Sequence, residues 1–289
     1  MVPSERRSGT NSTRVTWTTL TPVPEAQIKN AYESYATTLA SMDGDAARDR
    51  VWAGATEFQR LVGREAKSGQ LYEQDGVVAS VVPGVQSSFF NAAVLREHPD
   101  YPGALERVAQ LYSQAGEAKW GVWTDPANDG AAAALSQAGL VLDSSPVLMA
   151  AELSDVDLSP PAEPAHPVDL EALGAVNDIA YDHPPQAERA FAGPPPPGTY
   201  ATGVHRDGEL AAVTMVLDVG DDAFVTFVAT LPEHRGQGLA ATLIRQALAE
   251  AQHRGRTTTS LQASKLGQGI YARLGYRPLG EQHLWELRP

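Results

Sequence analysis

The chain has 289 residues, 43% of them hydrophobic and 20% charged, with a formal net charge of −13 and no cysteine. That length suits two domains of about 140 residues each, with apolar material for a core in both. Without cysteine there are no disulfides, thiol nucleophiles or thiolate metal sites, and the acidic balance argues against a nucleic-acid partner.

Residues 1–13 are polar and aperiodic and read as a flexible tail without the apolar stretch of a signal peptide. No apolar run approaches the ~20 residues of a membrane span, so the cytoplasm is the expected compartment. A first domain is expected over 14–153. It opens with a short strand at 16–20 and helical spacing over 24–40 and 46–61. Short apolar runs at 70–72 and 77–82 flank Gln74-Asp75-Gly76, a hairpin signal. A strand at 88–95, a helix at 103–115, a strand at 120–123 and a helix at 129–137 follow. From Gly139 a final strand pair reaches Leu153.

Composition breaks at 154–167, which holds Pro160, Pro161, Pro164 and Pro167 and no periodic apolar face; it reads as a linker. The second domain, 168–289, repeats the order. It has a helix at 169–181, a stiff Gly-Pro loop at 193–198, and strands at 200–204, 210–217 and 223–229. A long helix at 236–253, a strand at 257–262, a short helix at 268–274 and a last strand pair from Gly275 complete it. The shared order of elements points to an internal duplication.

The sharpest feature is Leu231-Pro232-Glu233-His234-Arg235-Gly236-Gln237-Gly238-Leu239-Ala240. It follows a strand and opens a helix whose apolar positions Leu239, Leu243, Ile244, Ala247 and Leu248 share one face. A helix start leaves backbone N–H groups unpaired and partly positive, and glycines there let an anion approach, so the turn suits a phosphate or diphosphate. Arg235 adds charge. A Walker loop is excluded by the missing Gly-Lys-Ser/Thr ending, and a dinucleotide fold is disfavoured because the turn comes late in the strand series.

Arg235-Gly236-Gln237-Gly238-Leu239-Ala240 resembles the Arg/Gln-x-x-Gly-x-Gly/Ala signature of the GNAT acetyltransferases. Leu261 through Tyr276 resembles that family's second landmark, a short helix with a Tyr four residues before a Gly-aromatic pair. The resemblance covers about 120 residues, from 168 to 287. It implies an α/β (α+β) protein of two GNAT-like domains, each a mixed, mostly antiparallel twisted sheet flanked by helices. It implies acetyl-CoA as co-substrate, held by Val228, Ala229, Thr230, Arg235, Gly236, Gln237, Gly238, Leu239, Ala240, Ser264 and Tyr271. The acetyl group would pass directly to a primary amine of a small molecule or peptide, with Tyr271 as general acid toward the departing thiolate.

Many relatives carry a Glu base on the strand before the Gly turn; here that strand has none beyond its start. Asp182, His183 and Asp222 are the base candidates, with Asp221, Glu233 and His234 behind them. His98, His166, His205, His253 and His283 show no metal-ligand spacing, and no metal is expected. Trp285 could reach the acceptor groove. In the first half, 96–103 lacks the Gly signature and Leu135 stands where Tyr271 would. One active site per chain is therefore expected, the first half completing the acceptor pocket or a homodimer surface, as in tandem GNAT enzymes. The competing expectation is a regulatory protein that binds CoA without turnover.

Overall fold

The computed structural model describes residues 44–159, 164–265 and 267–288. The expected tail at 1–13, strand at 16–20 and helix at 24–40 lie outside the described residues. Helix α1 (Gly44–Glu65) is longer than its apolar spacing suggested and buries Val51, Trp52, Ala55, Phe58 and Val62, an i, i+3, i+4 stripe. It packs so closely on the second half that a Cβ at Gly54 would stand 2.1 Å from the Phe224 ring.

The first sheet is built from β1 (Gln70–Gln74), β2 (Val77–Val81), β3 (Ala92–Val94), β4 (Trp120–Thr124) and β5 (Val141–Ser144). Asp75 and Gly76, both at positive φ, turn β1 into β2 as the sequence predicts. The strand expected at 88–95 is only three residues long, because Ser87 to Asn91 fold into turns with Asn91 N–H bonded back to the Ser87 carbonyl. Helices α2 (Tyr101–Ala115) and α3 (Asp129–Gln137) cover this sheet, burying Val108, Tyr112 and Leu135 against Val77, Ala93 and Val122.

The first half ends on β6 (Val147–Glu152); β7 (His166–Pro167) closes the break, and the second half continues with α4 (Leu170–Ala180), α5 (Ala187–Ala190), β8 (Thr199–Arg206), β9 (Glu209–Val219) and β10 (Asp222–Thr230). They are followed by α6 (Leu239–His253), β11 (Thr258–Ala263), α7 (Gln268–Arg273), β12 (Arg277–Glu281) and β13 (His283–Leu287). Helices α6 and α7 cover one face of β6, β10 and β11, through Ile244, Leu248, Tyr271 and Leu274. On the other face α1, α4 and α5 join residues of both sheets in one core. Alternate residues of β6 divide between these cores: Leu148 faces one, Val147 and Met149 the other.

The strand order is β1-β2-β3-β4-β13-β5 in the first sheet and β12-β6-β11-β10-β9-β8-β7 in the second. Each contains one parallel pair, β3 with β4 and β10 with β11, in an otherwise antiparallel sheet. Neither expected final strand pair is a hairpin within one sheet. β6 leaves β5 and inserts between β11 and β12, while β13 leaves β12 and inserts between β4 and β5. The halves thus exchange their last strands, and the proline-rich break at 154–167 does not separate the sheets. It contains β7, which adds to the edge of β8. Period-two alternation marks a segment as a strand but carries no information on which of two equivalent slots it fills.

Candidate active site

The site begins where β10 stops pairing. Its parallel ladder with β11 runs only from Asp222 opposite Thr258 to Val225 opposite Leu261. On the other side, the register against β9 shifts between Thr226 and Ala229, and Phe227 has a φ of +52°. A bulky residue at positive φ is strained and persists only where its surroundings hold it. Here the Phe227 ring is packed among Phe58, Phe89, Phe90 and Phe191, with centroids between 5.7 and 6.2 Å. The parted strands open into a cavity of about 1020 Å³, lined on the second sheet by Val225 to Val228, Gln262, Ser264 and Tyr271. The first half contributes Ser88, Phe89, Phe90, Lys119 and Trp123, and the exchanged β13 contributes Leu284 and Glu286.

The Gly turn lies past the end of β10. Gly236 and Gly238 both sit at φ +77°, and a Cβ on either would meet nothing within 4 Å. Backbone conformation and open space both call for glycine there. Gly238 caps α6 without any side-chain hydrogen bond, and among the described residues the N–H groups of Gly236, Gln237, Gly238, Leu239 and Ala240 have no acceptor. This is a row of unpaired donors, exposed at 236–238, at the positive end of a 15-residue helix. The Arg235 guanidinium does not join them. It donates to the carbonyls of Thr230, at 3.3 Å, and Ala180, tying the end of α4 to the end of β10.

Tyr271 reaches the cavity from α7. It is packed with Tyr276 and Leu274. Its hydroxyl has no hydrogen bond to the described residues, and burial, with the nearby Tyr181 adding to it, raises the phenol well above its ordinary value. Across the cavity, Tyr181 donates its hydroxyl to the Val228 carbonyl at 3.0 Å and stacks on His183. Ser264 lines the same wall, its hydroxyl accepting the Gly267 N–H at 3.2 Å.

The base candidates divide. His183 lines the cavity, and Asp182 precedes it at φ +54°, exposed. Asp222 stands at the closed end of the β10–β11 ladder, fully buried, accepting the hydroxyls of Thr258 at 2.7 Å and Ser260 at 2.6 Å. Burial raises its carboxyl, those two hydroxyls pulling it back, but it does not line the cavity. Asp221 pairs with Arg50, while Glu233 and His234 group with Glu209, their ligand atoms within 4.8 Å of one another, outside the cavity. Trp285 is also displaced from its expected place. It faces the first sheet's outer core, opposite to Leu284 and Glu286. Glu286, Lys119 and Asp178 are cavity residues that sequence patterning missed, since each lies far along the chain from the Gly turn.

Among the described residues, the first half has no equivalent opening. β3 and β4 stay paired to Val94 opposite Trp123, and the Leu95 N–H continues onto the Trp123 carbonyl at 2.9 Å. At the start of α2 the Asp100 carboxylate accepts the Gly103 N–H at 3.1 Å, and Pro102 has none to offer. A side chain here occupies the place an anion would take. Leu135, at the position of Tyr271, is fully buried.

The acetyltransferase (GNAT) family matches residues 168–276. A Bacillus subtilis (strain 168) protein, provisionally named ribosomal protein bS18-alanine N-acetyltransferase, is 35% identical over 80 residues, 27% of this chain and 53% of that protein. The chain therefore spans about half the length of this curated relative. Among solved structures, a GCN5-related N-acetyltransferase from Kribbella flavida matches with a TM-score of 0.60 and 25% identity, over 83% of this chain and 96% of that one. A GCN5-related N-acetyltransferase from Sphaerobacter thermophilus matches with a TM-score of 0.51 and 17% identity, over 84% and 92%, a likeness of fold alone.

Proposed function

With residues 168–276 forming a domain of the acetyltransferase (GNAT) family, we propose that the protein transfers an acetyl group from acetyl-CoA to a primary amine of a small molecule or peptide, at one site per chain. The observation that carries this reading is the parting of β10 from β11 beyond Val225, beside a helix start whose glycine turn leaves five amides unpaired. A diphosphate fits that turn by charge and by space, and the N–H groups of 236–240 are the residues to hold it. The edge of β10 from Val228 to Thr230 has no strand partner on its β11 side, so its main chain is placed to orient an extended amide-bearing arm. When bound, acetyl-CoA supplies a thioester carbonyl open to attack by an amine.

The rest of the chemistry belongs to this chain. Tyr271 holds a proton at its hydroxyl oxygen through neutral pH, because burial disfavours the phenolate, and so serves as the general acid. The amine arrives protonated and must lose a proton. His183 is the base candidate that the cavity contains, with Asp182 beside it on the rim. Asp222 is enclosed away from the reacting end and serves instead to bind β10 to β11 through Thr258 and Ser260.

A second reading, CoA binding without turnover, is favoured by one observation: the cavity-facing stretch Thr226–Phe227–Val228 carries no carboxylate. Calorimetry with acetyl-CoA, paired with free-thiol release over a panel of polyamines, aminoglycosides, amino acids and peptide N-termini, separates the readings. Peptides with N-terminal alanine belong on the panel because the Bacillus subtilis relative is named for that reaction. One binding site with thiol release supports the transferase. Binding without release supports the second reading, and no binding refutes both.

A further inference from the structure

We propose that Glu286 is the specificity-determining residue of the acceptor site and selects primary amines that carry a second cationic group; this rests on the acetyltransferase reading. The strand exchange makes the placement possible. β13 sits between β4 and β5, with Leu284 and Glu286 on its cavity face and Trp285 and Leu287 on the opposite face. Glu286 is 3% exposed, yet it borders the cavity beside the aromatic rings of Phe89, Phe90 and Trp123.

A carboxylate in such a wall needs partners, and the structure supplies them asymmetrically. Arg288 Nε holds Oε1 at 2.6 Å. The Ser88 hydroxyl donates to Oε2, and Lys119 Nζ stands 3.4 Å from that same oxygen. Burial would raise the carboxyl, but the Ser88, Arg288 and Lys119 contacts outweigh it and lower the group below its usual range. The charge is therefore standing at neutral pH. Lys119 is the most distant of the three and borders the cavity, whereas Arg288, though more exposed at 56% against 34%, does not line it. An incoming ammonium can replace it at Oε2 without leaving the carboxylate unpaired, while the alkyl chain between the two nitrogens lies along the aromatic rings. Asp143, also on the cavity wall, shares Arg288 with Glu286 but has no second cation paired with it among the described residues. Glu286 is therefore the carboxylate on this wall whose outward partner can be exchanged.

The test compares kcat/KM for 1,4-diaminobutane and for 1-aminopentane, which has nearly the same length but one charge. Wild type should favour the diamine by about tenfold or more, the factor expected of one partly desolvated charge pair. Glu286→Gln keeps an acceptor for Ser88 and should bring the ratio near one. Lys119→Met removes the competing cation and should widen the ratio. Thermal melts of both variants report whether the fold is retained, and the Lys119 variant tests the idea even if Glu286→Gln melts early. A wild type that acetylates both amines equally well would overturn the proposal, as would a ratio that stays constant in Glu286→Gln. If wild type acetylates neither these amines nor any on the panel, the acetyltransferase reading itself fails, and this proposal with it.

Discussion

Gly238 offers the cleanest way to ask whether the turn before α6 seats a diphosphate. A side chain there meets nothing within 4 Å, and the cost is the left-handed backbone at φ +77°. That cost is about 1 kcal/mol for most residues and less for Asn and Asp, which visit this region most readily. Gly238→Asn and Gly238→Asp therefore share a shape and a backbone penalty and differ in one charge. The Asp variant sets a carboxylate over the unpaired amides of 236–240, the arrangement Asp100 already makes at the start of α2. Taking a diphosphate as roughly two negative charges about 5 Å away, the repulsion is about 1.7 kcal/mol at the dielectric of water and about 3.3 at half that value. That corresponds to a loss of about 20-fold to 300-fold in affinity. Calorimetry with acetyl-CoA should show Gly238→Asp weaker than Gly238→Asn by this margin. The gap should shrink in high salt because the turn is exposed. Equal affinity in the two variants would show that these amides do not hold the diphosphate.

Two further substitutions probe the reacting end. Tyr271→Phe should lower kcat by about 100-fold, the lower bound for a lost general acid, and weaken acetyl-CoA binding far less; equal turnover removes Tyr271 from the mechanism. Since burial raises this phenol, its neutral form persists past the ordinary value of about 10, so the pH–rate profile should show no alkaline limb from it below that pH. Its contribution to stability is complete below the unfolded value and disappears as pH rises through the folded one, so melts in alkali should show less loss in Tyr271→Phe. Asp222→Asn should keep turnover within about twofold, because the residue lies at the closed end of the strand pair. Its carboxyl is raised by burial, so any stability its titration contributes is full in acid and gone once pH passes the folded value. Asn resembles the protonated form, and the melting temperature at neutral pH should not fall. A loss of turnover near 100-fold in a protein that melts normally would restore Asp222 as the base.

The parts of the site that the sequence made legible are local ones. The Gly turn, α6 and Tyr271 lie within 37 residues of one another, and their spacing fixes how they meet. Asp222 shows where that reasoning stops. A carboxylate at the start of the right strand looks like a base, but the pairing with Thr258 and Ser260 that encloses it joins residues 36 and 38 positions away. The bulge at Phe227 was equally hidden, since Phe-Val-Thr-Phe-Val reads as an unbroken buried strand. Only the register against β9 and the rings around Phe227 mark the bend.

Those rings also bear on why a half without a cofactor turn is part of the site. Phe58 comes from α1, and Phe89 and Phe90 from the turns before β3, so three of the four aromatic residues around Phe227 belong to the first half. The strain at Phe227 that opens β10 is held from outside the second half. The first half's own strands are closed, and the N–H of Gly103 at its helix start is taken up by Asp100. Through the exchanged β13 it nevertheless carries Glu286 into the cavity wall. A second half expressed alone would keep the Gly turn and Tyr271. It would lose β6 from the middle of its sheet, three of the rings that hold the bulge, and the slot that places Glu286.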